Sequence, residues 1–364
     1  MLNKENLIKY FEDGITEKGH ERIGTEHEKF VFNKNDYSLI PYKGEQSISA
    51  LLESFIQDDW KPKYEDDNII ALTKEKASIT LEPGGQFELS GAPLVTIHET
   101  CREINNHLQF VKSVEEKMNI GFLGVGFLPI EKLDVVPHVP KKRYSEIMRP
   151  YMKKLGGLGL DMMHRSCTVQ ANFDYISELD MKKKIMVSAA LQPIVTGLFA
   201  NSPFLEGQLN GFQSYRGYVW TKTDNDRTGI LRSMVGENFS FEEYVDYALK
   251  VPVYSIIRDG NYINCLDYNF EDLMNNKSHE IKAEDITLDD WTDHLSTIFT
   301  EVRLKTYIEM RGADAGSYRS LCALPAFWEG ILYCSDCLEE SISIVREWNF
   351  EEIVSFRNSV FKNG

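Results

Sequence analysis

The stretch SITLEPGGQFELSG, residues 78–91, sets a Pro-Gly-Gly inside a run that otherwise alternates like a strand. Ile79, Leu81, Phe87 and Leu89 supply apolar positions on both sides of Pro83-Gly84-Gly85, and Glu82, Gln86 and Glu88 take the other parity. Side chains of a strand alternate between its two faces. Proline and glycine weaken a strand interior and permit a kink or bulge that re-aims neighbouring side chains. Acids at such a place are either charges blunting an exposed edge or ligands for something positive.

Three more segments show the same signature. In RIGTEHEKFVF, Glu26 and Glu28 stand two residues apart, so they share a face roughly 7 Å apart along a strand. Two carboxylates so placed repel each other unless cations lie beside them. The opposite face, Thr25, His27 and Lys29, is not apolar, so the alternation is poor. In RSCTVQANFDY, Val169, Ala171 and Phe173 alternate with Thr168, Gln170, Asn172 and Asp174, a half-buried strand with a polar face. In RLKTYIEMRGAD, Ile308 and Met310 alternate with Tyr307, Glu309 and Arg311. A glutamate and an arginine at that spacing suit a metal ligand beside an anion clamp, and equally a plain cross-strand ion pair. Combined on one sheet, these segments offer a face of hard oxygen donors, which suits magnesium better than zinc or iron.

Strands are expected over 22–32, 78–90, 121–127, 165–174 and 303–311. Helices are expected over 3–12 with Asn3 as cap, over 94–118, through DMKKKIMVSAALQPIVTGLFAN with a break near Pro193, and after the caps Ser240 and Thr287. Helices and strands do not alternate regularly, which favours an α+β fold with an antiparallel or mixed sheet. LGGLGLD reads as a loop, and no phosphate-loop or convincing dinucleotide fingerprint is present. The formal net charge of −16 argues against nucleic acid as a partner. No apolar run reaches the length of a membrane span, and the charged N-terminus lacks the pattern of a signal peptide. A cytoplasmic protein is expected. Cys334 and Cys337 form a Cys-x-x-Cys inside a run read as one helix, PAFWEGILYCSDCLEESISIVREW, with no second ligand pair for zinc.

Eight segments in order, GTEHEKF, LEPGGQFELSGAPL, LGLDMM, CTVQANFDY, ANSPFLEG, WTKTDNDRTG, EVRLKTYIEMRGAD and LCALPAFWEGILY, resemble the glutamate–cysteine ligases of the plant and proteobacterial type. The resemblance implies a single catalytic domain over 1–364 with a glutamine synthetase-like architecture, a curved and mainly antiparallel sheet of about six strands flanked by helices. It also implies a C-terminus shorter than the family's, the missing part being peripheral helix. The implied reaction uses ATP to phosphorylate the γ-carboxylate of glutamate, after which the cysteine amine attacks the acyl phosphate, the first step towards glutathione. The implied partners are glutamate, cysteine and ATP with Mg2+ or Mn2+, in a monomer or homodimer.

By the same resemblance, Glu26, Glu28, Glu82, Glu88 and Glu309 match the metal-binding carboxylates, with Gln170 standing where some distant ligases have a histidine. Arg311 is the candidate for the transferred phosphate, because a fixed guanidinium fork suits that geometry, and Glu82 and Glu88 serve the chemical step with it. Arg165, Arg216, Arg227, Asn172 and Tyr307 are candidates for binding substrate, and a structural ion pair is the alternative reading for each arginine. Trp220 reads as packing. Cys101 and Cys322 match positions that form a redox-responsive disulfide, whose formation on oxidation raises activity; two buried thiols in a reducing cytoplasm are the alternative reading. No general base for the amine stands out. The polar face alone would equally serve a ligase for another amine or an inactive binding protein of the same scaffold.

Overall fold

The computed structural model describes all 364 residues. Its centre is an antiparallel sheet of nine strands: β1 (Ile23–Asn33), β2 (Lys61–Glu65), β3 (Asn68–Lys74), β4 (Ala77–Leu81), β5 (Phe87–Ser90), β6 (Ile120–Leu123), β7 (Thr168–Phe173), β8 (Val302–Leu304) and β9 (Ile308–Asp314). The order is β8-β9-β7-β1-β5-β4-β3-β2, with β6 on the far end of β1. Nine strands replace the expected six or so. Two expected strands are hairpins, and KPKYEDDNIIALTK adds β2 and β3. Lys61, Pro62 and Lys63 make β2 a poor pattern in sequence and a well-protected edge in space. Register shifts in β9 between Met310 and Ala313 and in β2 between Lys63 and Tyr64 bend the sheet.

The Pro-Gly-Gly is a reversal rather than a kink. β4 and β5 pair antiparallel around it, Glu82 N–H donates to the Gln86 carbonyl at 3.0 Å, and Gly85 takes φ +82°, a conformation cheap only for glycine. A Cβ on Gly84 would overlap the carbonyl oxygen of His164. Gln86 fixes this approach: its Nε2 donates to the carbonyls of Met163 at 3.1 Å and Ser166 at 2.9 Å, and its Oε1 accepts from Gly84 N–H at 2.8 Å.

Helices cover the apolar face of the sheet. They are α1 (Lys4–Glu12), α2 (Ile48–Phe55), α3 (Ile97–Met118), α4 (Glu178–Leu198), α5 (Phe241–Lys250), α6 (Leu288–Leu295), α7 (Tyr318–Leu332), α8 (Ser335–Val345) and α9 (Phe350–Asn363). Asn3, Ser240 and Thr287 cap α1, α5 and α6 as expected. Pro193 lies inside an assigned helix that runs on to Leu198, and the Cys-x-x-Cys run breaks into two helices at Cys334. Val169, Ala171, Phe173, Ile308 and Met310 join Met181, Leu321 and Trp328 in the largest buried cluster. Phe87, Leu89, Ile79 and Leu81 join α2 and α3 in a second. Thr25, His27 and Lys29 lie on this face and are buried despite their polarity; Lys29 Nζ stands 2.7 Å from His27 Nδ1, and burial brings the ammonium down to about 7. No single helix is long and apolar enough to cross a membrane.

His294 on α6 is buried with Nε2 2.8 Å from the Ala248 carbonyl, and burial holds it down to about 4. An unfolded histidine titrates near 6.5. Between those values the unfolded chain takes up a proton that the fold refuses, so stability falls as pH drops from about 6.5 to 4, by about 3 kcal/mol in all. Urea titrations across this window should show a shallower pH slope for His294→Gln than for the parent; equal slopes would exclude His294 as the cause.

Candidate active site

The opposite face of the sheet carries the polar side chains. Glu28 lies opposite Glu88 across β1 and β5, Glu26 opposite Gln170 across β1 and β7, Asn172 opposite Glu309, and Glu309 opposite Arg303. Directly opposed residues have Cβ atoms about 5 Å apart, so the sheet brings together groups nearly three hundred residues apart in sequence. Glu26, Glu28, Glu88, Gln170 and Arg303 among them line a cleft of about 220 Å³ together with Glu82, Arg216 and Arg311. A short helix at Gly159–Arg165, the preceding turns from Arg143 and the helix Tyr215–Trp220 roof it, holding Met148, Met152, Met162, Met163 and Val219 in their own buried cluster. LGGLGLD is thus only in part a loop, since a helix begins at Gly159.

Four carboxylates crowd this cleft with few donors between them. Asn172 Nδ2 donates to Glu26 at 2.9 Å, Thr168 N–H to Glu28 at 2.9 Å, Thr80 and Ser90 hydroxyls to Glu88 at 3.0 and 2.8 Å, and the Tyr144 hydroxyl reaches Glu82 at 3.4 Å. Burial followed by mutual repulsion raises the pKa values of Glu26, Glu28 and Glu88. An added divalent cation would offset this repulsion and favour the charged carboxylates. The donor set is all oxygen, as magnesium requires, yet no three acidic, histidine or cysteine side chains stand close enough to enclose an ion alone. Magnesium is commonly held by one or two carboxylates together with substrate phosphates, and the spread-out acids fit that mode.

The cationic wall is built from β8, β9 and the helix Tyr215–Trp220. Glu309 does not line the cleft. Arg303 binds it, Lys305 Nζ is 3.0 Å away and Arg311 Nη1 is 3.7 Å away. Against burial, those cations hold its carboxyl well below the usual range. Glu309 thus stands as the shared counter-ion of three cations. Arg303, absent from the sequence-based candidates, takes most of it; the signal was its alternation with Val302 and Leu304, both buried. Arg311 is left with Gln170 Oε1 at 2.5 Å and its distant share of Glu309. Burial and neighbouring Arg303 bring Arg311 down to about 10, still charged at neutral pH and open to another anion.

Asp314 positions Arg216. It accepts from the hydroxyls of Ser202 at 2.6 Å and Ser214 at 2.9 Å, Ser202 Oγ accepts from Arg216 N–H, and Ser214 caps the short helix. Arg216 Nη2 donates to the Arg311 carbonyl at 3.1 Å, and its guanidinium lies 5.8 Å from the Trp220 ring, so Trp220 is a cleft wall rather than plain packing. Glu26 also lines a separate chamber of about 250 Å³, together with Arg22, Asn172, Asp174 and Tyr307.

Two arginines lie elsewhere. Arg165 is buried against Asp161 at 3.0 Å and stacks 5.0 Å from Phe127. Arg227 is fully buried, with Nε 2.6 Å from Asp224, Nη1 on Thr297, Nη2 on the Pro252 carbonyl and its plane 4.0 Å from Tyr254. Neither lines the cleft, and each is paired with a resident carboxylate. Cys101 on α3 and Cys322 on α7 are half-buried neighbours, and burial, with the Cys101 S–H donating towards Cys322, pushes the Cys101 thiol up to about 12.

The model of the family "Glutamate-cysteine ligase family 2 (GCS2)" matches residues 22–361. The chain belongs to that family. It is 54% identical over 364 residues to the chloroplastic glutamate–cysteine ligase of Nicotiana tabacum, covering 100% of this chain and 69% of the relative. The corresponding protein of Medicago truncatula is 53% identical over 364 residues, covering 100% and 71%. That of Arabidopsis thaliana is 52% identical over 360 residues, covering 99% and 68%. Among solved structures, the glutamate–cysteine ligase of Francisella tularensis in complex with AMP superimposes with a TM-score of 0.44 at 12% identity, covering 91% of this chain and 71% of that one. The names of the plant relatives overturn the cytoplasmic expectation: these family members are called chloroplastic.

Proposed function

We propose that the cleft joins the γ-carboxylate of glutamate to the amine of cysteine through a γ-glutamyl phosphate, with ATP converted to ADP and phosphate. The observation that carries this reading is the facing of four carboxylates by Arg216, Arg303 and Arg311 across one groove. Phosphoryl transfer depends mainly on placement and on neutralising charge, and this groove has acids to hold divalent cations and guanidinium groups to hold phosphate oxygens. Glu26, Glu28, Glu82 and Glu88 would hold magnesium, which when bound neutralises the triphosphate. Arg311 holds the transferring phosphoryl group and Arg216 supports it from the Trp220 side. Glu309 keeps Arg303 and Arg311 in place, an electrostatic duty rather than ligation. The separate chamber at Glu26 pairs the cation of Arg22 with the acids Glu26 and Asp174, a match for a zwitterionic amino acid beside Asn172 and Tyr307.

Phosphate release from ATP and glutamate, measured with a panel of amines, tests the reading. Cysteine should give the strongest stimulation and γ-glutamylcysteine as product; stimulation by another amine alone would replace cysteine as acceptor. Glu88→Gln keeps the hydroxyl contacts of Thr80 and Ser90 but removes a charge. The magnesium concentration for half-maximal rate should rise roughly tenfold or more, and an unchanged magnesium curve would remove Glu88 from the ion site. Oxidation is expected to join Cys101 to Cys322, tying α3 to α7 and raising activity. Peptide mapping with and without reductant checks the bond, and absence of a Cys101–Cys322 peptide after oxidation refutes it.

A further inference from the structure

α8 starts at a second pair of thiols that the ligase reaction does not use. Cys334 is the N-cap residue of this 11-residue helix, in extended backbone at φ −92° and ψ 111°, and its Sγ accepts from the Cys337 N–H at 3.4 Å. Cys337 stands three positions on, in the first turn of the helix. Both are exposed, unlike Cys167 and Cys265, which are buried. Neither belongs to a buried cluster, so packing does not account for them. The break between α7 and α8 falls at this point, leaving Cys334 outside helical geometry and free to turn its sulfur over the first turn.

The geometry points to a thiol–disulfide exchange site: we infer that Cys334 and Cys337 react with small-molecule disulfides and cycle between dithiol and intramolecular disulfide. Cys334 attacks first. Its sulfur receives the Cys337 backbone N–H, which favours a thiolate; the neighbouring Cys337 thiol and this N–H lower its pKa while that of Cys337 is raised. The Cys334 thiolate attacks one sulfur of R–S–S–R, a mixed disulfide forms and one RS⁻ departs. Cys337 then attacks the Cys334 sulfur, giving up its proton, and expels the second RS⁻. The protein dithiol loses two electrons and two protons, and the small disulfide becomes two thiols. A bridge between residues three apart at one helix end constrains no other element, so this pair exchanges electrons without clamping the fold, in contrast to Cys101 and Cys322, which sit on different helices.

The test uses the full chain and bis(2-hydroxyethyl) disulfide, followed by rapid acid quenching and peptide mass mapping, which reads this pair separately from Cys101 and Cys322. The parent should lose two hydrogens in the peptide holding Cys334 and Cys337. Cys337→Ser should instead accumulate the mixed disulfide on Cys334, and Cys334→Ser should react about tenfold more slowly than Cys337→Ser. Circular dichroism confirms folding of both surface variants. Failure of Cys337→Ser to trap the adduct, or equal rates for the two single variants, would overturn the assignment.

Discussion

Arg311→Met is expected to lower kcat by roughly 10²–10³, the cost of removing one preorganised donor from a developing anionic charge. The fold should survive. Arg303 and Lys305 remain on Glu309, and the hydrogen bond from Arg216 goes to the backbone carbonyl of residue 311, not to its side chain. Gln170 Oε1 loses its partner, a modest loss beside a cleft that admits water. Arg311→Lys keeps a charge but not the fork, so it should recover only part of the rate. Steady-state kinetics with thermal melts reads both effects: a large fall in kcat at nearly constant melting temperature is expected. Near-parental turnover in Arg311→Met would dismiss this side chain as the phosphate clamp.

Arg227→Met should act the opposite way, costing about 3–5 kcal/mol of stability by stranding a buried carboxylate. Asp224 is buried and keeps only the Tyr151 hydroxyl, at 2.7 Å, as a side-chain donor once Arg227 is gone. The carbonyl of Pro252 loses its guanidinium donor, and Tyr254 loses its stacking partner. The KM values of the folded fraction should stay close to those of the parent, because Arg227 does not line the cleft. Denaturant titration gives the stability change, and a double-mutant cycle with Asp224→Asn should show strong coupling. A raised KM for ATP or glutamate without loss of stability would return Arg227 to the substrate site.

Most strands that carry the site were legible because they hold an apolar parity beside a polar one; β1, with Thr25, His27 and Lys29 opposite its glutamates, does not. Val169, Ala171 and Phe173 read as a strand, and they are one. The hairpins were not legible in the same way. Periodicity runs through Pro83-Gly84-Gly85 without showing a reversal of direction, and β8 and β9 are joined by three residues whose pattern continues that of their neighbours. Arginines were the hardest class. Arg165, Arg216, Arg227 and Arg311 each sit in a motif with glycine, aromatic or acidic neighbours, and a motif does not say whether a buried guanidinium meets a resident carboxylate or an open cleft.

Sequence alone determined that acids alternate with apolar residues on separated segments, that the helix starts at Asn3, Ser240 and Thr287 are capped, and, through ordered motifs, which family the chain belongs to. These are local properties, written in spacing and residue type. Only the tertiary structure decided that Glu28 faces Glu88, that Arg303 takes Glu309 and leaves Arg311 open, and that Arg227 is spent on Asp224. Charge pairing falls off over a few ångströms, and those distances are set by strand register between segments far apart in the chain.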